Sequence, residues 1–261
     1  MKGEFLLEIG TEEVPASYIM PALDAMAALF IDAMKAALIV HGEVKTAATP
    51  RRLVLHAADV DVAQASREIE KTGPAKAQAF DADGKPTKAA IGFARGQGVD
   101  VADLIVIKTP KGEQVAVRKT EPGRPTVEVM AEILPGLIEK VPFPKSMRWM
   151  DLDVRFVRPL HWIVAVLNCL VVPFQFGSIA SGDSSRGHRF THPGPFPARS
   201  FEQLWNSLAH HGVLIDPAKR RKKIAAEIAN VATAQGLEVF ADEELLDEVT
   251  FLVESPYPVM G

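Results

Sequence analysis

The chain has 261 residues, of which 48% are hydrophobic and 24% charged, and its net charge is −4. This composition is typical of a soluble globular protein and allows one large domain or two modest ones. The single cysteine, Cys169, excludes an internal disulfide, and its position in the apolar stretch IVAVLNCLVV predicts a small buried residue.

The N-terminal sequence and the longest apolar run argue against export and against membrane insertion. The N-terminal sequence MKGEFLLEIGTEEVP becomes acidic after a short apolar stretch, which does not fit a signal peptide. The apolar run Trp162–Val172 is interrupted by Asn168 and is shorter than the roughly 20 residues that a membrane helix needs. We therefore expect a cytoplasmic protein that does not bind membranes.

The charges are unevenly distributed. Residues 142–223 contain 12 Lys and Arg against 5 Asp and Glu, whereas the remaining residues carry 17 against 28. A basic segment of this kind favours either an anionic partner or docking on the acidic part of the same chain, and the charge alone leaves both alternatives open.

Strands and one long helix are predicted in the first half of the chain. EFLLEIG, closed by Gly10, predicts a strand, and the Ala-, Met- and Leu-rich segment Pro15–Val40 predicts a helix that ends by Gly42. A Thr-Pro turn then precedes a strand over Arg52–Val60. Further predictions are a strand at REIEKTGP, a turn at Asp83–Gly84, a helix over Lys88–Arg95 and a hairpin in LIVIKTPKGEQVAVRKTE.

The second half combines buried strands with helices. Pro125–Val141 predicts a helix that Pro135 and Gly136 would kink or split, and HWIVAVLNCLVVPFQF predicts two buried strands joined near Asn168. After the proline-rich THPGPFPARS, the pattern predicts helices over Ser200–His211, Asp216–Gln235 and DEELLDEVTFLVES, with a short strand at VLI.

These elements predict an α+β fold, because the strands come in hairpins instead of alternating βαβ units. We expect a mixed, largely antiparallel sheet with packed helices over residues 1–195. Residues 196–261 are expected to begin a second, mainly helical domain, with the boundary at THPGPFPARS.

Motifs for independent chemistry are absent from the sequence. It contains no G-x-x-x-x-G-K-[ST] or G-x-G-x-x-G phosphate loop, no G-x-S-x-G nucleophile elbow and no Cys/His set with zinc spacing. GFARGQG has three glycines at the wrong spacing. We therefore predict no catalytic residue, no metal site and no cofactor in this chain.

Six stretches occur together in a familiar order: LLEIGTEEVP, ATPRRLVL, PFPKSMRW, FVRPLHWIVAVL, SSRGHRF and IDPAKRRKKI. In this order and spacing, the chain resembles the N-terminal part of the beta subunit of bacterial glycyl-tRNA synthetase. The resemblance extends over nearly the whole chain, and it implies that the sequence is a fragment of a longer protein.

The resemblance implies part of a two-subunit glycine–tRNA ligase, which attaches glycine to tRNA(Gly) with ATP. It implies that the alpha subunit carries the active site with ATP and magnesium, that two alpha and two beta subunits assemble, and that the beta subunit recognises tRNA. The fragment alone is expected to be inactive. The alternative is a docking scaffold for the alpha subunit, with no direct RNA contact in this fragment.

The basic stretch SSRGHRF is the first candidate RNA contact. Arg186 and Arg189 offer the forked donors that match a phosphate, His188 lies between them, and Gly187 permits close backbone approach. In a continuous strand the two arginines would point to opposite faces, so they would not serve one site. The alternative is that an arginine pairs with a carboxylate of the N-terminal half while Phe190 packs in the core.

The other candidates lie in three basic stretches. Lys145 and Arg148 stand among aromatic residues, a combination that can grip an RNA backbone. In TPRRL, alternation predicts that one of Arg51 and Arg52 faces solvent, so Arg51 is an additional candidate. Lys219 and Arg220 open KRRKK in a predicted helix, where a solvated helix start is the alternative. Finally, Glu12 and Glu13 are predicted to have a structural or subunit-contact role near a helix N-terminus.

Overall fold

The computed structural model describes residues 2–81, 83–151 and 153–260. One compact unit combines the described parts of Met1–Gln64 and Arg124–Gly261, and a second unit, Ala65–Gly123, is inserted between them. The sequence-based division at residue 195 does not coincide with this one, since residues on both sides of it belong to the larger unit. That division stays a prediction.

In chain order the elements are β1 (Lys2–Thr11), α1 (Ala16–Ala36), β2 (Val44–Thr49), β3 (Arg52–Asp61), β4 (Arg67–Ala75), α2 (Lys76–Ala79), α3 (Lys88–Gln97), β5 (Ile105–Thr109), β6 (Gly112–Glu121), α4 (Thr126–Lys140), β7 (Leu160–Leu167), β8 (Leu170–Val171), β9 (Gln175–Phe176), β10 (Ile179–Gly182), β11 (Ser184–Arg186), β12 (Pro195–Pro197), α5 (Phe201–His210), α6 (Pro217–Ala234) and α7 (Glu243–Thr250). This mixture of helices with a largely antiparallel sheet confirms the predicted α+β class.

The central sheet of the larger unit has the strand order β2-β3-β1-β7-β10-β9, with β8 paired to β7. Its neighbours are antiparallel except for β7 and β10. Strand β1 therefore lies between β3 and β7, and Gly10 pairs with Arg52 on one side and Trp162 on the other. This register sets three strands side by side at the end of β1.

Side-chain alternation along β1 gives the sheet two buried faces. Phe5, Leu7 and Ile9 enter the larger core with residues of α1 and α4, whereas Leu6 joins a second core with residues of α5. Glu8 shares the second face with Leu6, so the fold places a carboxylate in an apolar layer. Its charge has to be compensated there, because an unpaired buried charge is costly.

Helix α1 is long and apolar enough, by length and composition alone, to cross a membrane. Its buried residues recur at helical spacing and pack in the core against the sheet: Ile19, Leu23, Met26, Phe30 and Met34. This packing accounts for its apolar character as a core helix. The helix ends before the predicted Gly42, because Leu38 adopts a φ of 57° and the Ile39 amide bonds to the Met34 carbonyl at 2.9 Å.

The smaller unit is a three-stranded antiparallel sheet, β4-β6-β5, with helices α2 and α3. The predicted hairpin is present as β5 and β6, and Gly112 takes a φ of 102° at its turn. The predicted helix near residues 88–95 is also present, and Ala90 packs with Ala79 and Val115 in a small core.

Several local predictions were wrong. Strand β2 was not predicted, and VLI, residues 213–215, forms no strand. Helix α4 is not split at Pro135 and Gly136, since it continues to Lys140. Cys169 is exposed instead of buried, because Asn168 and Cys169 form the two-residue turn between β7 and β8, with φ of 49° and 65°.

Candidate functional site

Four separated stretches of the chain meet at one end of the central sheet. They are the end of β1 with Glu12, the β2–β3 turn with Arg51, the start of β7 with His161 and Trp162, and the segment after β11 with Arg189. The cross-strand register of β1 with β3 and β7 brings the first three together. Four of the stretches that carry the family resemblance therefore contribute to a single site.

A buried ion-pair network underlies this site. Arg52 donates from Nη1 to Glu8 Oε1 at 3.0 Å and from Nε to Glu254 Oε1 at 3.1 Å, and all three side chains are almost completely buried. Thr49 Oγ1 also donates to Glu254, at 2.5 Å. Burial raises the pKa of Glu8 above its ordinary value, and the Arg52 charge offsets this only in part. One arginine thus serves two buried carboxylates.

Gly10 allows an indole to lie over β1 within this network. A Cβ atom at Gly10 would come within 2.0 Å of the Trp162 ring, so any other residue would displace the indole. The Arg52 guanidinium carbon lies 5.3 Å from the centre of the same ring. Trp162 is therefore a core anchor.

Both adjacent arginines of TPRRL are buried, so the prediction that one of them faces solvent was wrong. Arg52 is fully buried in the network, and Arg51 exposes only 9% of its surface. Alternation along a strand does not apply to Arg51, because it lies in the turn before β3. Residues 188–190 and 252–255 lie close to this turn, since they line a small cavity together with Arg51.

Arg189 lies at the rim of the site and pairs with the acidic end of β1. Its Nη1 is 3.0 Å from Glu13 Oε1 and 3.4 Å from Glu12 Oε2, and its guanidinium carbon lies 5.2 Å from the centre of the Phe190 ring. Glu12 also bonds to His161 Nε2 at 2.8 Å. Burial acts to raise the pKa of Glu12, but the His161 hydrogen bond and the charges of Arg189 and Arg51 together lower it.

The segment containing Arg186 and Arg189 is not a continuous strand. Strand β11 ends at Arg186, and the chain then turns, with the His188 amide bonded to the His211 carbonyl at 2.9 Å. A Cβ atom at Gly187 would lie 2.4 Å from the His192 carbonyl oxygen, so only glycine fits this turn. Because the chain turns, both arginines line the same cavity, although a continuous strand would have separated them.

The cavity has a volume of about 320 Å³ and is open to solvent. Its lining consists of Glu12, Arg51, His161, Trp162, Arg186, Gly187, Arg189 and Pro193. A smaller cavity of about 180 Å³ shares Arg51 and Arg189 with it and also touches His188 and Phe190. Phe190 is 80% exposed, so the prediction that it packs in the core is wrong, but the other part of that alternative is confirmed, because Arg189 pairs with carboxylates of the N-terminal half. Three arginines and one carboxylate give the larger cavity an excess of positive charge.

The remaining sequence candidates lie elsewhere. Lys145 and Arg148 are exposed in the segment after α4, and neither lines the cavity with Arg186 and Arg189. Lys219 is exposed at the start of α6. Their role in RNA contact stays a prediction, since they are exposed at the surface but do not line the cavity of Arg186 and Arg189.

Arg220 is fully buried, which contradicts its prediction as an RNA contact. Its guanidinium donates to the carbonyls of Thr250 at 2.6 Å, Leu214 at 2.5 Å, Ile215 at 3.3 Å and Ala48 at 3.0 Å. Burial lowers the pKa of Arg220 to about 10, which leaves it charged at neutral pH. Within the basic stretch KRRKK of α6, Arg220 therefore connects this helix to β2 and α7.

Sequence comparison identifies relatives along the whole chain. The family model described as glycyl-tRNA synthetase beta subunit matches residues 5–261. The glycine–tRNA ligase beta subunits of Trichlorobacter lovleyi, Geobacter sulfurreducens and Geotalea uraniireducens are 50%, 51% and 52% identical over 261 residues. These alignments cover all of this chain but only 38% of each relative's length.

Proposed function

The chain belongs to the glycyl-tRNA synthetase beta subunit family, and on that premise we propose that it is a non-catalytic, tRNA-binding and assembly part of a two-subunit glycine–tRNA ligase. The observation that carries the tRNA role is the convergence of Arg51, Arg186 and Arg189 on one open cavity. The family name, beta subunit, supports an alpha-subunit partner.

The proposal assigns the chemistry to the alpha subunit. ATP and magnesium bind there, and the complete assembly contains two alpha and two beta subunits in the cytoplasm. This division agrees with the sequence of the present chain, which lacks the glycine-rich loops that hold nucleotide phosphates. The chain alone is accordingly expected to show no glycine-dependent ATP–pyrophosphate exchange, in a preparation shown to be free of alpha subunit.

The arginine site is suited to the RNA backbone more than to a base sequence. Guanidinium groups bind phosphate through paired donors, and such contacts position an RNA without reading its bases. His188 and the exposed Phe190 stand beside the arginines, and Phe190 presents an aromatic face that an unpaired base can stack on. Lys145 and Arg148 would extend this surface as exposed cations.

The test is tRNA(Gly) binding by the two-subunit enzyme as a function of salt. The double variant Arg186→Ala/Arg189→Ala should bind several tRNAs more weakly by similar factors, with the log–log salt slope reduced by about one unit per lost contact. The matched control, Arg124→Ala/Arg199→Ala, removes two exposed arginines of the same unit that do not line the cavity. If the first variant is folded but binds tRNA like the control, the RNA role of this site is rejected.

A docking scaffold for the alpha subunit without RNA contact is the second candidate. The observation that favours it is an apolar groove of about 330 Å³ between α6 and α7, lined by Ile224, Ile228, Phe240, Leu245 and Leu246. Exposed apolar grooves commonly mark contact surfaces. Under this alternative, Phe240→Ser would reduce co-purification with the alpha subunit, whereas the double arginine variant would leave tRNA affinity unchanged.

A further inference from the structure

Arg51 is a buried arginine that makes no ion pair within the described residues. It exposes 9% of its surface, its Nε atom is buried without a hydrogen-bond partner, and its side chain has no ion pair within the described ranges. Burial lowers the pKa of Arg51 and the nearby Arg189 charge lowers it further, while the charges of Glu254 and Glu12 offset this only in part. A buried cation that makes no ion pair is costly, so binding of an anion beside Arg51 would be favourable.

The surroundings of Arg51 define where such an anion would bind. Both cavities at this end of the sheet are lined by Arg51 and Arg189, and Arg186 completes the larger one. The three arginines that line it come from two parts of the fold: Arg51 lies in the β2–β3 turn, and Arg186 and Arg189 lie at the end of β11 and in the segment that follows. Arg186 has no salt bridge among the described residues, while Glu12 and Glu13 hold Arg189.

The donor set is better matched to a phosphate group than to a carboxylate. A carboxylate carries one charge and is satisfied by a single guanidinium fork. A phosphate offers oxygens in several directions, which suits forks arriving from different elements. The cavity of about 320 Å³ is also much larger than one phosphate needs, so there is room for the groups to which the phosphate is attached.

We infer that Arg51, Arg186 and Arg189 form a pocket for a single phosphate group, in which the buried Arg51 is the central donor. The inference rests on the proposed function in one respect: it takes the phosphate to be part of the RNA backbone. Free phosphate shares the same chemistry, and the experiment distinguishes the two sources. Glu12 serves as a positioning residue, since it holds Arg189 and His161 at the mouth of the pocket.

The experiment uses the complete two-subunit enzyme with Arg51→Met, which keeps a long apolar stem but removes the charge and donors. Arg199→Met is the control, because Arg199 is exposed in the same unit, pairs only with Asp183 among the described residues and lies outside the pocket. Two ligands are measured: tRNA(Gly) by affinity against salt, and inorganic phosphate by its effect on thermal unfolding. Subtracting the control removes the general stabilising effect of phosphate.

We expect Arg51→Met to bind tRNA about tenfold or more weakly, with the salt slope lower by about one unit, and to lose phosphate-dependent stabilisation. Without ligand, its thermal stability should equal or exceed that of the wild type, because an uncompensated buried charge has been removed. Arg51→Lys should retain part of the affinity, since it keeps the charge but loses the fork. A purely structural arginine would give lower stability instead.

The outcomes separate the two proposals. Loss of phosphate stabilisation with unchanged tRNA affinity supports the pocket with free phosphate as its ligand, and it counts against RNA binding at this site. Weaker tRNA binding in Arg186→Ala/Arg189→Ala with wild-type behaviour of Arg51→Met would retain the RNA surface and overturn the pocket. Failure of Arg51→Met to fold would also overturn it, because Arg51 would then have a structural partner.

Discussion

Replacing Arg52 by methionine should destabilise the larger unit strongly. The substitution keeps an unbranched side chain of similar reach but leaves Glu8 and Glu254 buried without their shared cation. Breaking a buried ion pair by removing one partner costs about 3–5 kcal/mol. For a chain of this size, that corresponds to a decrease in Tm of roughly 6–20 °C.

The matched control is Arg124→Met, which removes an arginine from an exposed pair with Glu132 in the same unit. Exposed pairs contribute about 0.2–1 kcal/mol, so the two substitutions should differ several-fold in their effect on urea-induced unfolding. Adding Glu8→Gln to Arg52→Met should recover part of the loss, because a neutral amide tolerates burial better than an unpaired carboxylate. Equal effects of the two arginine substitutions would contradict the ion-pair network.

Three further substitutions test the packing and charges around the site. Gly10→Ala should cost about 1–3 kcal/mol in urea unfolding, because its Cβ would overlap the indole above it, whereas Gly182→Ala, a strand glycine with open space, should cost less than half as much. Glu8→Gln should gain stability relative to the wild type as pH rises from about 4.3 towards neutrality. Because the pKa of Glu8 is raised in the folded state, Glu8 stabilises the wild type fully below its unfolded-state pKa, and this stabilisation is lost as pH rises through the folded-state pKa. Parallel curves of unfolding free energy against pH for the two proteins would reject the raised pKa. Arg220→Met should destabilise by about 3 kcal/mol, because four carbonyls lose a charged donor, while Arg221→Met, at a partly exposed surface position, should cost much less; equal melting curves would exclude the buried role.

Local sequence features predicted much of the sheet and its helices. Strand β1 was predicted from a short apolar run closed by Gly10, α1 from an Ala-, Met- and Leu-rich segment that begins at Pro15, and the β5–β6 hairpin from two β-rich runs around a turn. The junction near Asn168 was predicted, but Cys169 was assigned as buried from its apolar neighbours, whereas its position in a two-residue turn exposes it.

The candidate site could not be predicted in the same way, because it is built by contacts between residues far apart in the sequence. Arg52 and Glu254 are 202 positions apart in the sequence, and Arg52 and Glu8 are 44 apart. A sequence shows that several basic residues are present, but the choice between solvent, a carboxylate and a ligand is made by the tertiary fold. For this reason Arg220 was read as a surface cation, and Arg51 was ranked below Arg186 and Arg189.

The adjacent residues Arg51 and Arg52 have opposite electrostatic situations. Arg52 is compensated twice by carboxylates, and its Nη1 also donates to the Arg186 carbonyl at 2.9 Å, which fixes the backbone at the edge of the arginine cavity. Arg51 makes no ion pair among the described residues and borders the cavity instead. Loss of Arg52 would therefore disturb stability and the position of Arg186 together, so reduced RNA affinity in that variant would not identify a contact. Loss of Arg51 separates the two effects, because affinity should fall while stability is kept.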